Sequence, residues 1–174
     1  MSDARVRVLV ADDHPLYREA LAETVKQRPE LELVGMVAGG REALAAIQET
    51  PPAVAVLDMK MPGLDGMEVV DAVTRDELPT RVLLLSAFLD SALAYRALGA
   101  GPAGYLSKDS TGERICDAIV AVSRGSRAAA VRAGHIGLAS CAERVELAGG
   151  RLNIESTPGQ GTTVTSRLPA TRRA

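Results

Sequence analysis

The sequence predicts a doubly wound α/β fold, in which a five-stranded parallel sheet carries helices on both faces. Short apolar runs rich in Val and Leu alternate with segments of helical periodicity, a pattern typical of βα units. Four of these runs stop abruptly at a polar residue, which is where ligands bind in parallel sheets. With 174 residues, 47% of them hydrophobic, the chain has enough apolar side chains for one full core.

The first two βα units lie before the third apolar run. A strand over roughly residues 5–11 leads into a helix near Pro15, because a proline at an early helical position loses no hydrogen bond. Leu31–Val37 alternates and predicts the second strand. Gly39-Gly40 opens the second helix, and Pro51-Pro52 closes it.

Three further units complete the predicted sheet. Each strand is a short apolar run, and each helix follows a loop rich in Gly, Pro or a capping residue. Thr111 is the expected N-cap of the last helix, and Gly125 ends it. The predicted strands are 53–57, 82–85 and 104–107, and the predicted helices are 66–73, 91–98 and 111–123.

The chain beyond Gly125 has a different character. We expect a first domain over residues 1–125, a linker or ragged helix extension over 126–133, and a partial second segment over 134–174. This segment reads as a small C-terminal helix, Ile136–Ala148, followed by a β-hairpin with strands near 152–156 and 162–168. These elements are too few to bury a core unaided.

Composition excludes several classes of function. Residues 1–125 hold 13 Lys/Arg and 19 Asp/Glu, a net charge of −6, whereas residues 126–174 hold 7 and 3, a net charge of +4. Four aromatic residues leave little for stacking on nucleic-acid bases. The two cysteines, Cys116 and Cys141, have no metal-ligand spacing and predict free thiols. The sequence shows no signal peptide and no membrane-length apolar run, so a cytoplasmic protein is expected.

Five polar groups stand where the predicted strands end. Because the carboxyl ends of parallel strands share one edge of the sheet, these groups should converge on one crevice. They are Asp12, Asp13, Asp58, Ser86 and Lys108. Three carboxylates, a hydroxyl and an ammonium suit a divalent cation together with a phosphoryl group.

Within that crevice, Asp58 is placed as a carboxylate nucleophile. Asp13 and Asp58 could ligate Mg²⁺ directly, Asp12 could act through water, and the backbone carbonyl of Lys60 could complete the set. Lys108 would neutralise phosphoryl oxygens, Ser86 would donate a hydrogen bond to one of them, and the small Ala87 would leave room for the group. Taken singly, each residue could be a helix cap, a turn residue or a surface charge; their coincidence at four strand ends favours a site. His14 is interpreted as a loop residue.

Residues 5–125 resemble the receiver domain of two-component response regulators, in particular the NarL/LuxR type. The resemblance is carried by four stretches, Val8–Pro15, Leu57–Gly66, Leu83–Ala87 and Gly104–Asp109. It implies a flavodoxin-like strand order of 2-1-3-4-5, Mg²⁺ on Asp12, Asp13 and Asp58, and phosphoryl transfer to Asp58 from a cognate histidine kinase. It also implies that Ser86 and Tyr105 report phosphorylation by reorienting and that Lys108 contacts the phosphoryl group. A homodimer is a possible partner state.

Residues 134–169 resemble the C-terminal end of a histidine-kinase ATP-binding domain. The stretches that carry this are Gly134–Leu138, Glu143-Arg144, Gly149–Leu152, Ser156–Thr162 and Leu168-Pro169. The Asn-bearing helix and the Asp-x-Gly-x-Gly loop of such domains are absent, so no nucleotide-binding residue is predicted.

Two alternatives to a signalling receiver remain open. A DNA-binding transcriptional regulator would suit the receiver type, but no helix-turn-helix pattern follows, and DNA binding by this chain is disfavoured. An aspartyl-phosphate phosphohydrolase would need a second acid two residues after its nucleophile, where this chain has Lys60. We therefore expect a phosphoryl acceptor and not an enzyme with turnover, and we expect no membrane partner.

Overall fold

The computed structural model describes residues 5–87 and 103–125 in full, together with the backbone of 127–131, 151–157 and 161–167. The predicted helix 91–98 and the predicted helix Ile136–Ala148 lie outside these residues. The strands are β1 (Val6–Ala11), β2 (Leu31–Val37), β3 (Val54–Asp58), β4 (Arg81–Ser86), β5 (Gly104–Ser107), β6 (Arg127–Val131), β7 (Arg151–Thr157) and β8 (Gly161–Arg167). The helices are α1 (Pro15–Lys26), α2 (Gly40–Glu49), α3 (Gly66–Arg75) and α4 (Gly112–Ser123).

The first five strands form a parallel sheet in the order β2-β1-β3-β4-β5, which confirms the predicted strand order. The predicted caps are also in place, since Pro15 starts α1 and the Thr111 side chain accepts a hydrogen bond from the Arg114 N–H. The sheet does not end at β5. It continues as β6-β8-β7, giving eight strands among the described residues.

Residues 127–131 differ from the expectation of a linker or helix extension. They form β6, which pairs in parallel with β5 and antiparallel with β8. The physical reason is the open edge of β5, whose unpaired backbone groups accept any neighbouring extended segment. The predicted hairpin is confirmed as β7 and β8, which pair antiparallel from Arg151↔Arg167 to Thr157↔Gly161.

Two apolar clusters cover the two faces of the sheet. On one face, α1 and α4 bury Leu21, Val25 and Ile119 against Val8, Val10, Leu83 and other strand residues. On the other face, α2 and α3 bury Ile47 and Val69 against Leu9, Leu57 and Leu84. Because every residue of β3 is buried, the central strand is fixed from both sides and its last residue, Asp58, is held rigidly.

The loop after β3 is held by short-range contacts. Gly66 donates its backbone N–H to the Met59 carbonyl at 2.9 Å, and Met59 donates to the Leu85 carbonyl at 2.7 Å. Asp65 caps α3 in a reciprocal arrangement with Glu68, in which each side chain accepts from the other's backbone N–H at 2.8 Å. The loop therefore returns closely onto the end of β3 and positions Asp58 from its C-terminal side.

Gly66→Ala should destabilise the fold by about 1–3 kcal/mol, the usual cost of overpacking. A Cβ atom at this position would lie 2.6 Å from the Asp58 carbonyl oxygen and 3.2 Å from the Met59 Cα, so the backbone itself would have to move. Urea unfolding measures the change. Thr74→Ala, at an exposed position of the same helix, is the control and should stay within about 0.5 kcal/mol of wild type. Equal stability of Gly66→Ala and wild type would show that the loop is not tightly packed.

Candidate functional site

The structure brings the predicted polar residues together at the carboxyl edge of the sheet. Asp12 follows β1, Asp58 ends β3, Ser86 ends β4 and Lys108 follows β5. The register pairs Asp58 with Leu85, and Ser86 with Ser107, so these strands end at nearly the same level. The predicted crevice is therefore present among the described residues.

Lys108 joins two of the carboxylates. Its Nζ lies 2.6 Å from Asp12 Oδ2 and 3.0 Å from Asp58 Oδ2. The side chains of Asp12 and Asp58 are 2% and 5% exposed, and that of Lys108 is 11% exposed. A buried ammonium between two buried carboxylates offsets part of their mutual repulsion, which strengthens in a poorly hydrated site.

Tyr17 holds Lys108 from the α1 side. The Lys108 Nζ lies 4.8 Å from the centroid of the Tyr17 ring, and the Tyr17 hydroxyl donates to the Lys108 carbonyl oxygen at 3.4 Å. Burial and the nearby carboxylates of Asp12 and Asp58 raise the pKa of Tyr17 strongly, so its hydroxyl stays protonated. Sequence reasoning gave Tyr17 no role, although its place in the first turn of the helix after Asp13 is a signal that could have found it.

Several neighbouring groups shift the pKa of the Asp58 carboxyl in opposite directions, and the net shift is upward. Burial raises the pKa of its carboxyl above the usual value of 3.8, the Lys108 hydrogen bond opposes this, and the Asp12 charge adds to the rise. The Lys60 backbone also makes a hydrogen bond that lowers the pKa of Asp58. Lys60 therefore does touch the site through its main chain, while its side chain is exposed.

Asp13 and His14 form the solvent side of the cluster. The His14 Nδ1 lies 2.9 Å from Asp13 Oδ1, 3.2 Å from Asp12 Oδ1 and 4.0 Å from Asp58 Oδ2. Together, one ligand atom from each of Asp12, Asp13, His14 and Asp58 lies within 4.8 Å of the others. The interpretation of His14 as a mere loop residue missed this contact, which the sequence signals only through its position directly after two carboxylates.

The residues present fit a divalent cation. Asp12 Oδ2 and Asp13 Oδ1 are buried atoms that accept no aligned hydrogen bond, even though Lys108 and His14 lie within ion-pair distance of them. Buried carboxylate oxygens normally need such partners, and hard oxygen ligands of this kind are what Mg²⁺ takes. Asp12, Asp13 and Asp58 are thus able to hold Mg²⁺.

The remaining predicted site residues lie around the same edge. Ser86 is buried and its carbonyl accepts from the Lys108 N–H at 2.9 Å, while Ala87 beside it is exposed. Tyr105 is fully buried, packed in the cluster on the α2 and α3 face. In register it lies beside Leu84 of β4, two residues before Ser86.

Comparison with known proteins shows which protein family has this fold and this set of residues. Residues 8–120 match the family model of the response regulator receiver domain. The chain belongs to the response regulator receiver family. This receiver is thus a phosphorylation-dependent signalling module of the two-component type, whose members take a phosphoryl group on an aspartate.

The relatives of the receiver include NarL/LuxR-type regulators. The probable transcriptional regulatory protein NarL of Mycobacterium tuberculosis is 46% identical over 121 residues, which are 70% of this chain and 56% of that protein. LiaR of Bacillus subtilis is 34% identical over 120 residues, 69% of this chain and 57% of that protein. This chain therefore spans about half the length of the curated relatives it matches.

Solved structures agree with the fold of the receiver. The signal receiver domain of the M. tuberculosis NarL superposes with a TM-score of 0.69 at 45% identity, covering 70% of this chain and 98% of that one. A LuxR-family regulator from Aurantimonas sp. gives a TM-score of 0.68 at 32% identity, covering 72% and 89%.

A second family model overlaps the end of the receiver. Residues 107–172 match the histidine kinase-, DNA gyrase B- and HSP90-like ATPase family, starting inside β5 and continuing through the tail. Separately, none of the helices in the described ranges is long and apolar enough to cross a membrane.

Proposed function

We propose that the receiver accepts a phosphoryl group on Asp58 from a histidine kinase, with Mg²⁺ held by Asp12, Asp13, Asp58 and the backbone carbonyl of Lys60. The observation that carries the proposal is the placement of Asp58. Its carboxylate is 5% exposed, lies 3.0 Å from the Lys108 ammonium and faces the acidic cluster. Incubation with a small phosphodonor and Mg²⁺, followed by intact mass and peptide mapping, tests it.

The chemistry follows from these contacts. A deprotonated Asp58 oxygen attacks phosphorus, the new P–O bond gives an acyl phosphate, and the P–N bond to the donor imidazole breaks with its electron pair leaving on nitrogen. Mg²⁺ would supply positive charge for the phosphoryl oxygens. Lys108, already 3.0 Å from Asp58, neutralises one further oxygen, and the Lys60 backbone keeps the carboxylate oriented.

A switch is proposed at the neighbouring strand ends. The Ser86 hydroxyl donates to the phosphoryl group, the small side chain of Ala87 leaves it room, and Tyr105 repacks as Ser86 moves. What supports this is position: Ser86 ends β4, next to the Asp58 strand, and Tyr105 lies on the adjoining β5. Two discrete packings of one core side chain suit a two-state signal.

The tail is proposed to be a partial kinase ATPase-like segment without nucleotide binding. The family match over residues 107–172 supports the relation of the tail to the kinase ATPase family. The missing Asn-bearing helix and Asp-x-Gly-x-Gly loop support the proposal that the tail does not bind nucleotide. In this proposal the output partner is a second receiver or another protein. DNA binding is not assigned to this chain, although a relative is named as a probable transcriptional regulatory protein.

Mg²⁺ should stabilise the metal-free protein by mass action. At about 100 times its Kd, a ligand specific for the folded state adds about 2.7 kcal/mol to the free energy of unfolding. The melting temperature should therefore rise with Mg²⁺ at constant ionic strength, and rise less in Asp13→Asn, which loses one carboxylate ligand. Asp71→Asn, at an exposed position of α3, should respond like wild type. A melting temperature independent of Mg²⁺ would contradict the metal site.

Asp58→Asn should stabilise the metal-free protein at neutral pH. The pKa of Asp58 is raised in the folded state, so folding favours its protonated form; that contribution is present at low pH and is lost as pH rises through the raised pKa. Asparagine cannot ionise, so the variant does not lose this contribution to stability as pH rises. Urea unfolding in EDTA should show an advantage for Asp58→Asn near neutral pH that shrinks on acidification. A constant difference across this range would contradict the raised pKa.

A further inference from the structure

His14 is the one imidazole among the described residues, and it stands at the open side of the acidic cluster. Its side chain is 70% exposed, so an ion arriving from solvent can reach the ring. The ring nevertheless contacts the site, because Nδ1 lies 3.2 Å from Asp12 Oδ1 and 2.9 Å from Asp13 Oδ1.

The spacing of these atoms matches that of metal ligands. Metal–nitrogen and metal–oxygen distances of about 2.1 Å place adjacent ligands about 3.0 Å apart in an octahedron and about 3.4 Å apart in a tetrahedron. The observed separations from His14 Nδ1 are 2.9 Å and 3.2 Å. The two separations from Nδ1 are therefore those expected of neighbouring ligands of one ion, and one ligand atom from each of Asp12, Asp13, His14 and Asp58 lies within 4.8 Å of the others.

Lys108 and His14 contact different oxygens of the cluster. Lys108 contacts the Oδ2 atoms of Asp12 and Asp58, whereas His14 faces the Oδ1 atoms of Asp12 and Asp13. The buried Asp13 Oδ1, which accepts no aligned hydrogen bond, lies on the His14 side. The Oδ1 atoms of Asp12 and Asp13 and the imidazole could thus hold an ion through atoms that Lys108 does not contact.

We propose that His14 is a nitrogen ligand of this centre and makes it select borderline transition-metal ions, with Zn²⁺ as the representative ion, over Mg²⁺. The inference rests on the proposed metal site at Asp12, Asp13 and Asp58. Imidazole suits Zn²⁺, Ni²⁺ and Cu²⁺, whereas Mg²⁺ takes oxygen ligands and keeps its water. A centre with three carboxylates and one imidazole therefore gains affinity for the first group and little for Mg²⁺.

The test replaces the nitrogen donor and keeps the fold. His14 is the N-cap residue of α1, and Asn is a favoured N-cap, so His14→Asn should fold at least as well as wild type. His135→Asn removes the only other histidine and is the matched control. Binding of Co²⁺ alone is followed by its visible absorption, and Zn²⁺ and Mg²⁺ are measured by competition on the full chain.

His14→Asn should weaken Co²⁺ and Zn²⁺ binding by at least about tenfold, the loss seen even for indirect metal partners, and change Mg²⁺ binding less than about twofold. His135→Asn should bind all three as wild type does. Unchanged Co²⁺ binding in His14→Asn would overturn the ligand assignment, and equal weakening for Mg²⁺ and Co²⁺ would overturn the selectivity.

Phosphorylation assays separate this inference from the proposed function. If wild type is phosphorylated on Asp58 with Mg²⁺ and His14→Asn binds Co²⁺ normally, the His14 inference alone fails. If wild type is not phosphorylated and His14→Asn selectively loses Co²⁺ binding, the proposed function fails and the ligand assignment stands.

Discussion

Asp58→Asn is expected to abolish phosphorylation by a small phosphodonor in the presence of Mg²⁺. The amide has no ionised oxygen to attack phosphorus, and neither neighbouring carboxylate has the same position. Asp12 is committed to Lys108 at 2.6 Å and to the His14 N–H at 2.9 Å, and Asp13 lies on the solvent side with His14. Intact mass should show one added phosphoryl group on wild type and none on the variant.

Two controls make this result interpretable. Asp71→Asn, an exposed carboxylate of α3, should be phosphorylated as wild type is. Thermal melting should show that Asp58→Asn is folded, so that loss of phosphate is not loss of structure. Phosphate mapped by peptide analysis to Asp12 or Asp13 in wild type would refute the assignment of Asp58.

Lys108→Met should destabilise the metal-free protein by about 3 kcal/mol, the lower end of the cost of breaking a buried ion pair. The change leaves the Asp12 and Asp58 carboxylates, 2% and 5% exposed, without the cation between them. It also removes the cation above the Tyr17 ring. Urea unfolding in EDTA near neutral pH measures the loss.

Mg²⁺ should restore part of that stability, because a divalent ion can take over the neutralisation of both carboxylates. The gain on adding Mg²⁺ should therefore be larger in Lys108→Met than in wild type. Lys60→Met, which removes an exposed lysine next to the site, should stay within about 0.5 kcal/mol of wild type. A Lys108→Met protein as stable as wild type would contradict a stabilising role of Lys108 between the two buried carboxylates.

The sequence was sufficient for the architecture of the site because two simple rules act together. Apolar runs that stop at a polar residue mark strand ends, and parallel strands end at one edge. Those rules place Asp12, Asp58, Ser86 and Lys108 correctly, along with the cap at Thr111. The roles of these residues in phosphoryl transfer are not tested by the fold and stay predictions.

Three features lay beyond such rules. The contacts of His14 and Tyr17 depend on how α1 leaves β1, since the direction of a side chain in the first turn follows from packing and not from spacing. Strand β6 contains three consecutive alanines, which carry no alternation and no strand preference. Its conformation is decided by the backbone groups of β5 and β8 on either side of it, a tertiary effect that local sequence does not contain.

The pairing between β5 and β6 is short, since only Gly104 and Tyr105 of β5 are in register with β6, opposite Ala128 and Ala129. In contrast, β8 pairs with β6 along the whole length of β6, and with β7 along the whole length of β7. Cooperative units in proteins separate where few backbone hydrogen bonds join them. We therefore expect β6, β8 and β7 to exchange their amide hydrogens as one unit that opens from the receiver sheet. Tyr105, the residue proposed to repack, is in register with Ala129 of β6. A change in the free energy of this opening on phosphorylation would therefore measure whether the effect of Asp58 phosphorylation extends to β6, β8 and β7.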